Sequence, residues 1–130
     1  MDNSIEKDIS SFSSIIHSYE KMERITIEGE RSNGWYMLLE GKVGVLKHGR
    51  LVAEFTERGV VFGELSFILN TPRTVSLVAL EPTKAVHFDL PLEQLITEYP
   101  DVTKTMLINL AERLAKTTED FISFIEKDIK

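Results

Sequence analysis

The sequence predicts a mainly β fold with helices: a β-barrel of the double-stranded β-helix (jelly-roll) kind, with an N-terminal helix and a long C-terminal helix. Three observations predict it. All seven glycines fall between Gly29 and Gly63. Short runs rich in β-branched and aromatic residues lie among and after them, the pattern of many short strands joined by tight turns. Apolar residues at three- and four-residue spacing flank that region on both sides, which is the period of amphipathic helices.

The elements follow in order. Over residues 5–22, Ile5, Ile9, Phe12, Ile15, Ile16, Tyr19 and Met22 predict a helix, with Asn3 or Ser4 as its cap, so residues 1–24 form the N-terminal element. Residues 25–90 hold the barrel. Its strands are Trp35 to Leu39, Val43 to Leu46, Leu51 to Phe55, Val75 to Leu80 and Ala85 to Phe88. Lys47-His48-Gly49-Arg50 is a hairpin turn, since Gly accepts the positive φ that such turns need. Residues 91–130 are helical. Pro91 starts a helix with an apolar face of Leu92, Leu95 and Ile96, Pro100 interrupts it, and Asp101 caps a long helix to about Lys127. That helix has two apolar rows: Leu107, Leu110, Leu114, Thr117, Phe121 and Phe124, and Ile108, Ala111, Ala115, Thr118, Ile122 and Ile125. Two rows imply two partners, one row for the barrel and one for a second subunit.

The chain has 130 residues, the size of one domain, and an ordinary globular balance of 42% hydrophobic and 28% charged residues. Its net charge of −6 and the lack of a Lys/Arg cluster argue against a nucleic-acid reader, which draws most of its affinity from phosphate neutralisation. There is no cysteine, which excludes disulfides, thiolate catalysis and Cys-based zinc sites. Met1 to Ser10 is polar and acidic, unlike a signal peptide, and no apolar run is long enough for a membrane span. The expectation is a cytoplasmic protein without membrane contact. His17, His48 and His87 are isolated, with no His-x-His pair of the kind a metal-binding jelly roll would show. No Gly-x-Ser-x-Gly elbow and no P-loop lysine motif occurs, so no enzymatic activity is expected.

One stretch carries chemistry: residues 62–74, from Phe62-Gly63-Glu64-Leu65-Ser66 to Thr71-Pro72-Arg73-Thr74. Gly63 lets backbone approach a ligand with no Cβ in the way. Leu65 to Leu69 fit one short helical turn whose free N–H groups suit an anion. Arg73 follows Glu64 by nine residues, and its guanidinium fork suits two phosphate oxygens. Glu64 adds an acceptor for a sugar hydroxyl. The competing reading is a surface loop in which Glu64 and Arg73 pair with each other.

This stretch, Trp35 to Val43 with its Glu40-Gly41-Lys42-Val43 end, and the Gly29-Glu30 turn resemble the cyclic-nucleotide-binding domain superfamily. That superfamily is shared by protein kinase regulatory subunits, ligand-gated channels and bacterial catabolite-activator-type regulators. The resemblance covers roughly residues 25–90. It implies that Arg73 binds the cyclic phosphate and Glu64 the ribose 2′-hydroxyl, while backbone N–H groups of Gly63, Leu65, Ser66 and Thr74 complete the cradle. Glu112 to Glu119 is similar to the long helix of the catabolite-activator branch, and Thr117 and Thr118 fall on its base-reading Thr-Ser pair. This implies adenine and a homodimer through the C-terminal helix. Thr74, directly after Arg73, instead resembles cGMP-preferring members. The family has two early strands before the Gly29-like turn, whereas Lys21 to Glu28 supplies one here.

The function expected is therefore a cyclic-nucleotide sensor, cAMP slightly favoured over cGMP, that signals by repositioning its C-terminal helix. No cofactor is expected besides that regulatory ligand. The 130 residues contain no helix-turn-helix, so the expectation is either output through the helices to a protein partner or a chain that is part of a larger protein. The alternative is a barrel-type interaction module that has lost nucleotide binding.

Overall fold

The computed structural model describes residues 16–129, with strands β1 (Ile16–Tyr19), β2 (Arg24–Thr26), β3 (Trp35–Glu40), β4 (Val43–Lys47), β5 (Arg50–Phe55), β6 (Val61–Phe62), β7 (Ser76–Ala79) and β8 (Thr83–Phe88). Helix α1 (Glu64–Leu69) lies between β6 and β7, and α2 (Leu92–Glu98) and α3 (Pro100–Ile129) follow β8. The strands form two four-stranded antiparallel sheets, ordered β1-β8-β3-β6 and β2-β7-β4-β5. No ladder among the described residues closes them into a barrel, so the β-rich, two-sheet architecture matches the expectation and the closed barrel does not.

Alternation along β3 explains the layering. Successive side chains of a strand point to opposite faces. Trp35 and Met37 belong to a core shared with Phe88, Leu95, Val102 and Met106, between the first sheet and the two C-terminal helices. Tyr36 and Leu38 belong to a second core with Val43, Val45, Phe62 and Leu77, between the two sheets. Every β3 residue from Trp35 to Leu38 is therefore buried. Stacked rings reinforce both layers: Trp35 on Phe88 at 4.3 Å, and Tyr36 on Phe62 at 5.2 Å. The hairpin predicted at 47–50 forms with φ of 51° at His48 and 79° at Gly49, the two positive angles of a tight I′-type turn.

Three expectations are corrected. Ile16 to Tyr19 is not helical but pairs as β1 with Val86 to Thr83 of β8. The helical spacing there is overridden by pairing with a strand that would otherwise expose an edge. Both early strands of the family pattern are thus present, and the β region begins at Ile16 rather than at residue 25. The part of the predicted helix before Ile16 lies outside the described residues. Second, Pro100 does not interrupt the C-terminal helices for long. It opens α3, where its fixed φ and missing N–H are tolerated, and Asp101 sits in the first turn instead of capping. Third, among the described residues neither apolar row of α3 is buried over its second half. Val102 and Met106 are buried and Leu110 is partly buried, but Leu114, Phe121, Ile122, Phe124 and Ile125 are exposed.

A polar clamp sets the register of α3. Asn109 Nδ2 donates to Thr105 O in its own helix at 2.9 Å, and Asn109 Oδ1 accepts from Val61 N of β6 at 3.1 Å. Removing the amide leaves the Val61 N–H without that acceptor, and a buried orphan of this kind costs about 1–3 kcal/mol. Asn109→Ala should therefore lower the free energy of urea unfolding by about that amount. Asn109→Asp, which keeps the acceptor, should lose less.

Candidate functional site

The carbonyl end of β6 runs directly into α1 through Gly63, whose φ of 74° allows the sharp turn. No side chain caps α1. The chain returns after α1 through Thr71-Pro72-Arg73, and a pair of backbone bonds fastens that return to the β2–β3 loop. Gly29 N donates to Arg73 O and Arg73 N donates to Glu30 O, both at 2.8 Å. The result is a cavity of about 210 Å³, of small-molecule size. Six of the residues singled out from sequence line it: Gly63, Glu64, Leu65, Ser66, Arg73 and Thr74. Sheet residues including Thr26, Val45 and Leu77 form its floor, and Arg113 reaches it from α3.

Arg73 is 5% exposed. One terminal nitrogen, Nη1, donates to Gly63 O at 2.5 Å and Ser66 Oγ at 2.8 Å. The other, Nη2, donates to Asn33 Oδ1 at 3.0 Å and Gly34 O at 2.8 Å. All four acceptors are neutral, and among the described residues Arg73 has no carboxylate partner. The guanidinium also lies over the Tyr36 ring, 5.9 Å from its centroid. Burial pushes its pKa below the ordinary arginine value, with Tyr36 opposing the shift. A buried cation surrounded by neutral oxygens is an electrostatic site for an anion.

Glu64 does not pair with Arg73. It is 1% exposed, and its carboxylate is held by Arg113 Nη2 from α3. Arg113 lies over the Phe55 ring at 5.8 Å, and burial lowers its pKa too. Two polar atoms here have no partner: Thr26 Oγ1 and Arg113 Nε are both buried and unbonded. The cavity thus has two differently charged ends. Arg73 offers positive charge without a counter-ion, and Glu64 offers a carboxylate already engaged by a mobile-length side chain from another element.

Thr117 and Thr118 are not part of this cavity. Both are exposed on α3, about 6–8 Å further along the helix axis than Arg113. Arg113 is the residue that sequence reasoning passed over. It stands inside Glu112 to Glu119, the segment singled out for its threonines, one helical turn before Thr117. Among the described residues, no group of three or more His, Cys, Asp or Glu could hold a metal ion, and no helix is long and apolar enough to cross a membrane.

Comparison with known proteins gives a consistent answer. A family model described as the cyclic nucleotide-binding domain matches residues 16–98. The chain is similar to the Thermus thermophilus Catabolite Activator Protein at 27% identity and a TM-score of 0.73, covering 95% of this chain and 61% of that one. It is similar to a cyclic nucleotide-binding domain from Methylobacillus flagellatus at 27% identity and a TM-score of 0.69, covering 93% of this chain and 72% of that one. It shares its fold with the N-terminal domain of a transcriptional regulator from Streptomyces coelicolor A3(2), at 25% identity and a TM-score of 0.64, covering 92% and 88% respectively.

The Glu64–Arg113 pair generates a stability prediction. Removing the cation strands a buried carboxylate, which costs several kcal/mol for a fully buried pair. A third of the Arg113 side chain reaches solvent, so screening reduces the figure to about 1–3 kcal/mol. Arg113→Ala should lower the unfolding free energy by that much in a denaturant titration. The double variant Arg113→Ala/Glu64→Gln should recover part of the loss, because it removes the stranded charge.

Proposed function

The chain belongs to the cyclic nucleotide-binding domain family, and on that premise we propose that it is a sensor module for a cyclic mononucleotide, without catalytic activity, in the cytoplasm. The observation that carries this reading is the buried Arg73 guanidinium, bonded among the described residues to neutral acceptors alone, at the wall of the cavity. A cyclic phosphate has a single negative charge shared by two exocyclic oxygens, which suit a guanidinium once they replace some of its neutral acceptors. In this reading Arg73 binds the phosphate and Glu64 the ribose 2′-hydroxyl, with the backbone of Gly63, Leu65, Ser66 and Thr74 around them. The nucleotide is a regulatory ligand rather than a cofactor.

The same geometry supports a route from ligand to helix. Glu64 serves both the sugar hydroxyl and Arg113, so an occupied site changes what holds α3. A ligand shifts an equilibrium only by its differential affinity for the two states. Glu64 supplies such a difference, because its partner in the free chain belongs to the element that moves. The exposed second half of α3 supports a homodimer in which two such helices bury Leu114, Phe121 and Ile125 against each other. Thr117 and Thr118, distant from the cavity of their own chain, would then read the base across the dimer. This favours cAMP slightly, against the cGMP-like hydroxyl of Thr74 at the cavity wall. Output passes to a protein partner through α3, without direct binding of nucleic acid.

Titration calorimetry of nucleotide-free protein with cAMP and then cGMP tests the reading. Saturable binding is expected, with Arg73→Ala weakened by about 2–5 kcal/mol. Absence of heat and of competition for both nucleotides would move the assignment to an interaction module. In a separate sedimentation measurement, Phe121→Glu should convert a dimer into a monomer while leaving the fold intact by circular dichroism. A wild-type protein that is monomeric at high concentration would refute the dimer.

A further inference from the structure

Arg73 is held from two sides, and the second side leads away from the cavity. Its Nη2 is fixed by Asn33 Oδ1 and Gly34 O, both in the loop between β2 and β3. That loop is pinned in turn to β8. His87 Nε2 lies 2.7 Å from Asn33 O. The His87 ring stacks on Tyr36, with centroids 4.7 Å apart and planes 14° from parallel. The Tyr36 hydroxyl donates to the same Asn33 Oδ1, at 3.3 Å. A Cβ on Gly34 would fall 2.2 Å from Phe88 O, so the loop is pressed against the strand that carries His87.

We propose that His87, acting through Asn33, is a positioning residue for Arg73, and that protonation of His87 strengthens binding of the anionic nucleotide; this rests on the cyclic-nucleotide reading above. The bonding pattern fixes the chemistry. Asn33 O is a carbonyl and can only accept, so His87 Nε2 carries a hydrogen and the neutral ring has Nδ1 bare. A second proton goes to Nδ1. It leaves the bond to Asn33 intact, makes it charge-assisted, and adds positive potential beside Arg73.

The groups around His87 set the direction. Burial lowers its pKa from the ordinary imidazole value, and its neighbours Arg73 and His17 push the same way. The bond to Asn33 and the carboxylate of Asp89 oppose them. His17 on β1 meets the ring edge-on at 5.6 Å, and Tyr36 covers its face. A phosphate on Arg73 cancels the repulsion from that cation, so His87 has a higher pKa in the complex than in the free protein. Binding then takes up a proton between the two values. Affinity rises as pH falls through that window, whose lower edge is the depressed His87 pKa of the free protein, and is flat above and below it.

The test is calorimetry with cAMP from about pH 5 to pH 8 in two buffers of different ionisation heat, which counts protons taken up. Wild type should bind several-fold more tightly at the acidic end, with proton uptake. His87→Gln keeps an N–H for Asn33 O but cannot become charged. It should stay within about twofold of wild type at neutral pH and lose the pH slope. His87→Phe keeps the stacking but has no donor, and should bind several-fold to about tenfold more weakly at every pH, the effect of one lost hydrogen bond. His17→Gln should retain the slope. Histidine NMR of wild type gives a second readout that needs no variant: the His87 pKa should rise on adding cAMP. An unchanged slope in His87→Gln, full affinity in His87→Phe, or no rise in the His87 pKa would each overturn the proposal alone. A wild-type protein that binds neither cAMP nor cGMP overturns the sensor reading and this proposal together.

Discussion

Arg73 carries a full positive charge into the protein with no carboxylate among the described residues to meet it, and the surrounding architecture is arranged around that fact. Burying an unpaired ion is among the largest local costs a fold can carry. Here four neutral oxygens offset part of it, and they come from two separate segments: Gly63 and Ser66 around α1, and Asn33 and Gly34 before β3. Each segment is held by the sheets. Gly63 follows β6, which pairs with β3, and Asn33 is bonded to His87 of β8, which also pairs with β3. The reciprocal backbone bonds of Arg73 with Gly29 and Glu30 close the ring. An arrangement that satisfies the hydrogen-bonding of a guanidinium but not its charge leaves electrostatic work for a ligand to do.

Glu64 poses the complementary problem and solves it differently. Its carboxylate is as deeply buried as Arg73, yet its partner comes from α3 rather than from the sheets. The contact that neutralises the acid therefore also fixes a helix. Asn109, four residues earlier, sets the helix register by bonding to β6, which runs directly into the loop carrying Gly63 and Glu64. One strand edge thus anchors both the cavity and the element that could report on it. Beyond Arg113 the helix has no such anchor among the described residues, and Leu114, Phe121, Ile122, Phe124 and Ile125 are exposed.

The parts of the site that were legible in the sequence are those encoded locally. Gly63 to Ser66 and Arg73-Thr74 lie within twelve residues of one another, and each residue type has a role that its chemistry nearly dictates. All six meet at one cavity. Asn33 and Arg113 were illegible for the opposite reason: an Asn in a turn and an Arg on a charged helix face are ordinary, and only tertiary contact gives them a task. The positions of the central strands were legible from their apolar runs between glycines, whereas the sharing of β3 between two cores was not, because Trp35 to Leu39 is apolar throughout. Strand β1 was not, since four mostly exposed residues show no period-two pattern and their apolar spacing imitates a helix. The two apolar rows on α3 were legible as rows, but the sequence could not say that, among the described residues, the helix packs only near Val102, Met106 and Leu110.

The division between strands and helix has a consequence for how such a module can respond. Closely packed sheets with interlocked registers have little freedom to move, because a one-residue slip would turn every buried side chain to the other face. Among the described residues, helix α3 meets the sheets and α1 through an apolar patch, the Asn109 clamp, the Arg113 contact with the Phe55 ring and the ion pair to Glu64. Those contacts are few enough that a change at Glu64 alters a substantial share of what holds the helix, whereas the same change spread over the sheets would be absorbed. The anion end of the cavity is fastened to the sheets, and the acid end to the contact with α3. In the proposed sensor reading, a ligand that bridges the two acts across that contact.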